Sequence, residues 1–156
     1  MSNVDEIISL VLKEPKQDGG DFSGFDLKGV SLNGASFVFA TLIETVMEEA
    51  ELRDIDFSQA SLDKGSFKNS KIKNVNFSSA NLEGATFEEA TLMGCDFKNA
   101  NLIGCDFSQA KLDDCNFQGS NLGHSNFYST TIDNSNFSKM LLRLFMRMKF
   151  LKREVE

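Results

Sequence analysis

Residues 58–82 read SQASL DKGSF KNSKI KNVNF SSANL, five consecutive pentapeptides that each end on a large apolar residue. The same spacing extends without interruption from Phe22 to Phe137, which makes 24 successive pentapeptides with a large apolar residue at the centre. An internal repeat with a fixed period is the sequence signature of a solenoid or a related repeat architecture. This repeat therefore decides the fold.

A period of five excludes an ordinary helix or strand for this stretch. Five residues of α-helix turn through about 500°, so the apolar side chains would spread around the whole helix. On a strand, an odd spacing would place successive apolar residues on opposite faces of the sheet. All the apolar residues point inward only if the chain bends once in every pentapeptide, as in a solenoid with very short sides.

The other positions of the pentapeptide fit this arrangement. The residue two positions before the centre is small at nearly every repeat, as at Ala60, Ala80 and Ala100, and a narrow interior needs small neighbours. The residue directly before the centre is usually Asn, Asp, Ser or Thr. The residue two positions after the centre is often Gly or Asn, which predicts a turn with a positive φ at that position.

The pattern small–Asn/Asp–Leu/Phe–x–x over residues 22–137 resembles that of the pentapeptide repeat family. The resemblance implies an all-β fold, a right-handed quadrilateral parallel β-helix of about six coils with four pentapeptides in each coil. One feature of the chain supports four sides independently. From Leu52 onward the centres alternate between Leu or Ile and Phe, so residues twenty positions apart would stack like on like.

We expect both ends of this β-helix, residues 21–137, to be covered by short α-helical caps. Residues 1–20 are predicted to form an N-terminal capping helix and a linker, because apolar residues recur at helical spacing before Pro15, followed by the polar stretch 17–20. The second coil carries four apolar residues at outward positions, Val38, Phe39, Ile43 and Val46. Either the N-terminal segment covers this apolar patch, or the patch is a docking site.

Residues 138–156 break the repeat and are predicted to form an amphipathic C-terminal helix that covers the last coil. A second apolar line, roughly opposite the first, consists of Leu142, Met146 and Phe150. A cap needs only one apolar face, so this line predicts a homodimer interface between C-terminal helices. The resemblance points the same way, because members of the family often dimerise through a terminal helix. A basic amphipathic helix could instead lie on an anionic membrane surface.

Three cysteines, Cys95, Cys105 and Cys115, all occupy the small inward position. We interpret them as replacements for Ala in the core, although Cys95 and Cys115 would be vertical neighbours and could form a metal or redox site. Cys105 would lie on the opposite side, so the three thiols cannot converge on one metal ion. No metal and no other cofactor is expected.

Free cysteines and a start without a basic signal-peptide region favour the cytoplasm, and no apolar run is long enough to span a membrane.

Charge is distributed unevenly along the chain. Residues 1–20 carry a net charge of −2, residues 21–137 of −9, and residues 138–156 of +4, which together give −7. An acidic column argues against direct binding to nucleic acid, which needs a basic surface. One side of the predicted coil, named here the acidic side, is centred on Met47, Phe67, Phe87 and Phe107. It collects Asp26, Glu48, Glu49, Glu88, Glu89 and Asp106 against Lys28 and Lys68.

The acidic side is our candidate contact surface, and the alternative is a solvated face that keeps the protein soluble. Two functions fit the sequence. The first is a non-enzymatic protein-interaction module, a scaffold or regulator, whose partner protein is unidentified. The second follows from the resemblance, because quinolone-resistance members of the family mimic DNA at the surface of DNA gyrase. The uninterrupted register provides none of the projecting loops that such members use. An enzyme is not expected, because the outward residues contain no catalytic constellation.

Overall fold

The computed structural model of the protein describes residues 14–137, together with Asp5 and Ser9. The apolar face predicted for the N-terminal helix lies outside the described residues. The C-terminal segment 138–156 also lies outside them, and with it all three residues of the predicted dimer interface. Among the described residues, no helix is long and apolar enough to cross a membrane.

The described chain is a parallel β-solenoid. Six short strands form one parallel sheet in chain order: β1 (Ser31–Asn33), β2 (Glu51–Arg53), β3 (Lys71–Lys73), β4 (Thr91–Met93), β5 (Lys111–Asp113) and β6 (Thr131–Asp133). Each residue of a strand pairs with the residue twenty positions later, as Leu52 pairs with Ile72. Six stacked rungs, separated by five turns of the solenoid, confirm the all-β fold predicted from the repeat.

The other three sides of each coil are held by isolated parallel bridges with the same twenty-residue register, such as Ser36 with Asp56 and Asp26 with Val46. Twenty residues with one bend in every five make a coil with four sides. No loop interrupts this ladder between residues 16 and 137. The chain therefore presents regular surfaces, on which outward side chains stack in vertical columns. Successive side chains of a column are about 4.8 Å apart.

The ladder begins earlier than the linker prediction implies. Lys16 forms a parallel bridge with Ser36, and the Gln17 N–H donates a hydrogen bond of 2.7 Å to the Ser36 carbonyl. Gly19 has a φ of +71°, as at the later turn positions. Residues 17–20, which the sequence analysis assigns to a linker, therefore belong to the first coil. The polar Gln17 at the central position concealed this first side of the coil, because the repeat was traced by its large apolar centres.

Stacked phenylalanine rings fill the core on two of the four sides. The ring centroids of Phe67 and Phe87 lie 4.8 Å apart with an interplanar angle of 4°, and those of Phe77 and Phe97 lie 4.9 Å apart at 6°. Rings on opposite sides meet edge to face across the core, as Phe87 and Phe97 do at 5.8 Å and 90°. Both geometries are favourable for aromatic rings. The alternation of Leu and Phe along the chain thus produces stacks of like residues, as predicted.

The turn prediction holds at every bend, including those without Gly or Asn. All 24 residues at the turn position, from residue 19 to residue 134, have a positive φ. Eight of them are Gly, and the other sixteen include bulky residues such as Phe39 (58°) and Lys64 (55°). A positive φ costs a non-glycine residue about 1–2 kcal/mol. The ladder on both sides of each bend therefore imposes a conformation that the local sequence alone does not favour.

Candidate interaction surface

The structure brings the six predicted carboxylates to one side of the coil. Parallel bridges stack Asp26 and Asp106 in one vertical column, four rungs apart. Glu48 and Glu88 occupy a second column, at the position after the centre, two rungs apart. Glu49 and Glu89 follow them at the turn positions, with positive φ angles of 57° and 58°. The acidic side is therefore a real surface.

Two lysines partly neutralise this surface. Lys28 Nζ lies 2.9 Å from Glu49 Oε1 and 3.8 Å from Glu48 Oε2, one rung away. Lys68 Nζ lies 2.8 Å from Glu88 Oε2, again one rung away. These hydrogen bonds and the glutamate charges raise the pKa of both lysines. Six carboxylates and two ammonium groups leave the acidic side with a net charge of −4.

The two aspartates of the acidic side have a structural task as well. Asp26 Oδ1 accepts a hydrogen bond of 3.1 Å from the Lys28 N–H. Asp106 Oδ1 accepts bonds from the Ser108 N–H at 2.8 Å and from Asn126 Nδ2 at 3.1 Å. Each of these carboxylates caps a backbone N–H two residues later, so it is less free than the glutamates to bind a partner. Glu49 and Glu89 are exposed, whereas Glu48 and Glu88 are half-buried.

The same capping pattern recurs on the other sides, and sequence reasoning did not assign a role to it. Asp56 Oδ1 accepts from the Ser58 N–H at 2.8 Å, and Asp96 Oδ1 accepts from the Lys98 N–H at 2.9 Å. Asn116 Nδ2 then donates to Asp96 Oδ1 at 3.0 Å and joins two successive rungs. The signal was the Asn, Asp, Ser or Thr before each centre, because these side chains bond readily to backbone groups two residues later.

All three cysteines are free and buried, as their inward position predicts. The Cys105 thiol donates to the Leu82 carbonyl at 3.0 Å, and burial raises the pKa of Cys105 to about 12. Cys95 and Cys115 are vertical neighbours, and their thiols donate to the Ile72 and Leu92 carbonyls at 3.6 and 3.7 Å. The adjacent Cys115 thiol and burial raise the pKa of Cys95. Within the described part of the chain, no group of three or more His, Cys, Asp or Glu residues could hold a metal ion.

The four residues of the apolar patch lie on three different sides of the coil. Val38 lies on the side centred on Phe37, Ile43 on the next side, and Val46 on the acidic side. Phe39, at a bend, is 61% exposed and Ile43 is 39% exposed, whereas both valines are half-buried. The patch therefore curves around the column instead of forming one flat face.

Comparison with known protein families matches the chain to two related descriptions. A model of pentapeptide repeats matches residues 18–48, 42–78, 50–88 and 70–109, and a model of a pentapeptide repeat region matches residues 90–155. The chain belongs to the pentapeptide repeat family. No curated protein matches this pentapeptide repeat protein by sequence.

Solved structures of other pentapeptide repeat proteins are similar to it. One, from the thylakoid lumen of Arabidopsis thaliana, is 26% identical, with 79% of this chain and 68% of that chain covered and a TM-score of 0.46. QnrB1, a plasmid-mediated fluoroquinolone resistance protein, is 16% identical over 86% of this chain and 87% of its own, with a TM-score of 0.40. Rfr23 from the cyanobacterium Cyanothece 51142 is 21% identical over 83% and 99%, with a TM-score of 0.34.

Proposed function

We propose that this pentapeptide repeat protein is a non-enzymatic protein-interaction module whose acidic side binds a basic surface of a partner protein in the cytoplasm. One observation carries the proposal: six carboxylates lie on one regular side with a net charge of −4. The inward positions are filled by buried apolar side chains. The outward side chains are therefore the part of the solenoid that can contact a partner.

The geometry of the acidic side suits a partner with spaced basic residues. Glu49 and Glu89 are exposed and lie two rungs apart, a spacing of about 9.6 Å. Basic side chains of a partner would bind Glu89 first, because it forms no ion pair among the described residues. Lys28 already contacts Glu48 and Glu49, and Lys68 contacts Glu88. Charge complementarity of this kind speeds association and is weakened by salt.

Mimicry of DNA at a topoisomerase such as DNA gyrase is a second candidate, supported by the alignment of carboxylates on one side. A duplex as tall as the six rungs, about 29 Å, carries roughly 17 negative charges. The whole column of residues 21–137 carries a net charge of −9, about half of that, and the acidic side alone carries −4. This difference favours the general interaction module over the DNA mimic.

The test compares proteins retained from a cell extract by three immobilised forms at low salt. The first is the wild type, and the second is Glu88→Lys with Glu89→Lys, which reverses two charges of the acidic side. The third, Asp63→Lys with Glu83→Lys, makes the same charge change on a neighbouring side. We expect a partner that binds the wild type and the third form, is lost from the second, and elutes as salt rises.

Equal retention by the second form would show that the acidic side is not the contact surface. Circular dichroism should show that all three forms are folded, because the changed residues point outward; loss of surface contacts such as Lys68–Glu88 should lower the melting temperature only slightly. The DNA-mimic candidate has its own assay, the supercoiling activity of gyrase with added protein. If that activity is unchanged at low salt, the mimic candidate is excluded and the interaction module is unaffected.

A further inference from the structure

The sheet of strands β1–β6, named here the strand side, carries a polarised column of outward residues. The third residue of each strand stacks in register on that of the next, in the order Asn33, Arg53, Lys73, Met93, Asp113 and Asp133. The column is thus basic in its first half, apolar at Met93 and acidic in its second half. Like charges directly stacked on neighbouring strands are unfavourable.

The chain does not neutralise these charges itself. Among the described residues, Arg53, Lys73, Asp113 and Asp133 form no ion pair. Glu51, the carboxylate next to Arg53 on the same strand, is held by Lys71 at 2.9 Å. Two stacks of like charge therefore remain available, one of each sign.

The acidic half of the strand side is also concave. A shallow depression of about 210 Å³ is lined by Leu92, Leu112, Lys111 and Thr131, with Asp113 and Asp133 at its edge, and it reaches Met93. Met93, the one apolar residue of this column, is 44% exposed. The basic half carries the long side chains of Arg and Lys. The two halves thus differ in shape as well as in charge.

We propose that the strand side is a homotypic interface, on which a second copy of the chain docks antiparallel. The two-fold axis runs along strand β4 and passes Met93, so that Met93 meets Met93 of the second copy. This rotation inverts the order of the rungs. Each outward column then faces the same column of the second chain. Arg53 then faces Asp133 of the second copy, and Lys73 faces Asp113. Because the interface is two-fold, each contact occurs twice.

A parallel arrangement fits the charges less well. It would place each rung opposite the same rung of the second copy. The column of first strand residues would then face the column of third strand residues. Lys73 would face Lys71, and Arg53 would compete with Lys71 for Glu51. In the antiparallel arrangement Lys71 faces Lys111 across the interface, but Lys71 already has Glu51 as its partner. Only the antiparallel arrangement pairs all four charges that the chain leaves unpaired.

The size of the strand side sets the strength of the expected dimer. With the axis along β4, the five rungs β2–β6 overlap, and five rungs of three residues span about 24 Å by roughly 10 Å. This is well below the area of about 800 Å² per partner that a stable interface buries. We therefore expect a weak dimer that forms at high protein concentration and low salt, because charge pairs at an exposed interface are screened by salt.

Charge exchange between two variants tests both the interface and its orientation. The first variant, Arg53→Glu with Lys73→Glu, makes the column acidic in both halves. The second, Asp113→Lys with Asp133→Lys, makes both halves basic. In sedimentation equilibrium at low salt, each variant alone should dissociate at least roughly tenfold more readily than the wild type, and an equimolar mixture should regain the association. In a parallel dimer the mixture would not recover, because Arg53→Glu would place a second carboxylate opposite Glu51.

Two further forms complete the experiment. One chain with all four substitutions should dimerise again, since its charge order is inverted but still complementary. Asp63→Lys with Glu83→Lys, away from the strand side, should associate like the wild type. Each measurement is repeated with Met146→Glu and Phe150→Glu added, which keeps the predicted C-terminal interface separate. A wild type that stays monomeric at the highest concentration and lowest salt, or a mixture that does not associate, would overturn the proposal.

Discussion

At the residue scale, the stability of the column rests on side chains that touch the rungs above and below. Phe97 is fully buried, with Phe77 and Phe117 stacked on its two faces at 4.9 and 4.8 Å. Phe87 and Phe107, from the stack on the opposite side of the coil, meet it edge to face. The backbone ladder holds the rungs at a fixed spacing, so a space left between two rungs cannot close.

Phe97→Ala should therefore lower the free energy of unfolding by about 3–5 kcal/mol. The control is Phe39→Ala, because Phe39 is 61% exposed and its removal leaves no cavity. Chemical denaturation of both variants measures the two effects. A loss below about 1 kcal/mol for Phe97→Ala would contradict the packing described here.

Cys105 should make the protein less stable as the pH rises into the alkaline range. Its pKa is raised from 9.0 to about 12 by burial, so the folded state keeps the thiol proton that the unfolded state releases. The contribution of Cys105 to stability is complete below pH 9 and is lost as the pH rises toward 12. The difference in unfolding free energy between wild type and Cys105→Ala should therefore shift against the wild type above pH 9. A constant difference across this range would show that Cys105 is not the titrating group.

At the scale of the element, the bend is the unit that repeats, and most bends outside the side of strands β1–β6 are held from two directions. The residue two positions after the centre adopts a positive φ, at a cost of about 1–2 kcal/mol where it is not Gly. The hydrogen bonds between rungs and the cap from the residue before the centre hold the bend in this conformation. The polar side chain before the centre is therefore the polar group of the pentapeptide that the bend most requires.

Asp96→Ala should test this requirement. The substitution removes the acceptor for the Lys98 N–H and for Asn116 Nδ2, and we expect a loss of about 1–2 kcal/mol in unfolding free energy. Asp96→Asn should keep most of the stability, because its side-chain oxygen can still accept from the Lys98 N–H. Lys98→Ala, an exposed change in the same bend, serves as the control and should stay within about 0.5 kcal/mol of the wild type.

At the scale of the whole molecule, two modes of association are expected, and their physical origins differ. The C-terminal interface predicted from Leu142, Met146 and Phe150 is apolar, whereas the strand side pairs charges. Apolar association does not weaken as salt rises, but the pairing of exposed charges does. Salt dependence therefore separates the two.

Met146→Glu with Phe150→Glu should abolish any association that persists at high salt and should leave a folded monomer at micromolar concentration. Light scattering measures the mass, and the far-ultraviolet circular dichroism spectrum checks the fold. The strand-side variants should leave this salt-resistant association unchanged. A wild type that is monomeric at tens of micromolar in high salt would argue against the C-terminal interface.

The sequence by itself determined the architecture of the column. A centre such as Phe87 or Leu82 can point inward at every fifth position only in a chain that bends once per pentapeptide, so the solenoid and its buried cysteines were predictable. The number of sides was implied by the resemblance to the family and supported by the alternation of Leu and Phe centres. The six acidic residues could be assigned to one side for the same reason, because a fixed register converts sequence position directly into place on the surface. Only the first side of the first coil, around Gln17, was missed, because Gln17 interrupts the row of apolar centres.

Only the tertiary structure decided what the surface residues do, because their partners lie twenty positions away. Lys68 neutralises Glu88, and Lys28 reaches Glu49, across neighbouring rungs. Such pairs depend on side-chain reach between coils, which no local pattern records. The charges of Arg53 and Asp113, by contrast, form no ion pair within the described chain, although the residue types are the same. The repeat specifies where each residue lies, and the stacking of coils decides which charges remain free for a partner.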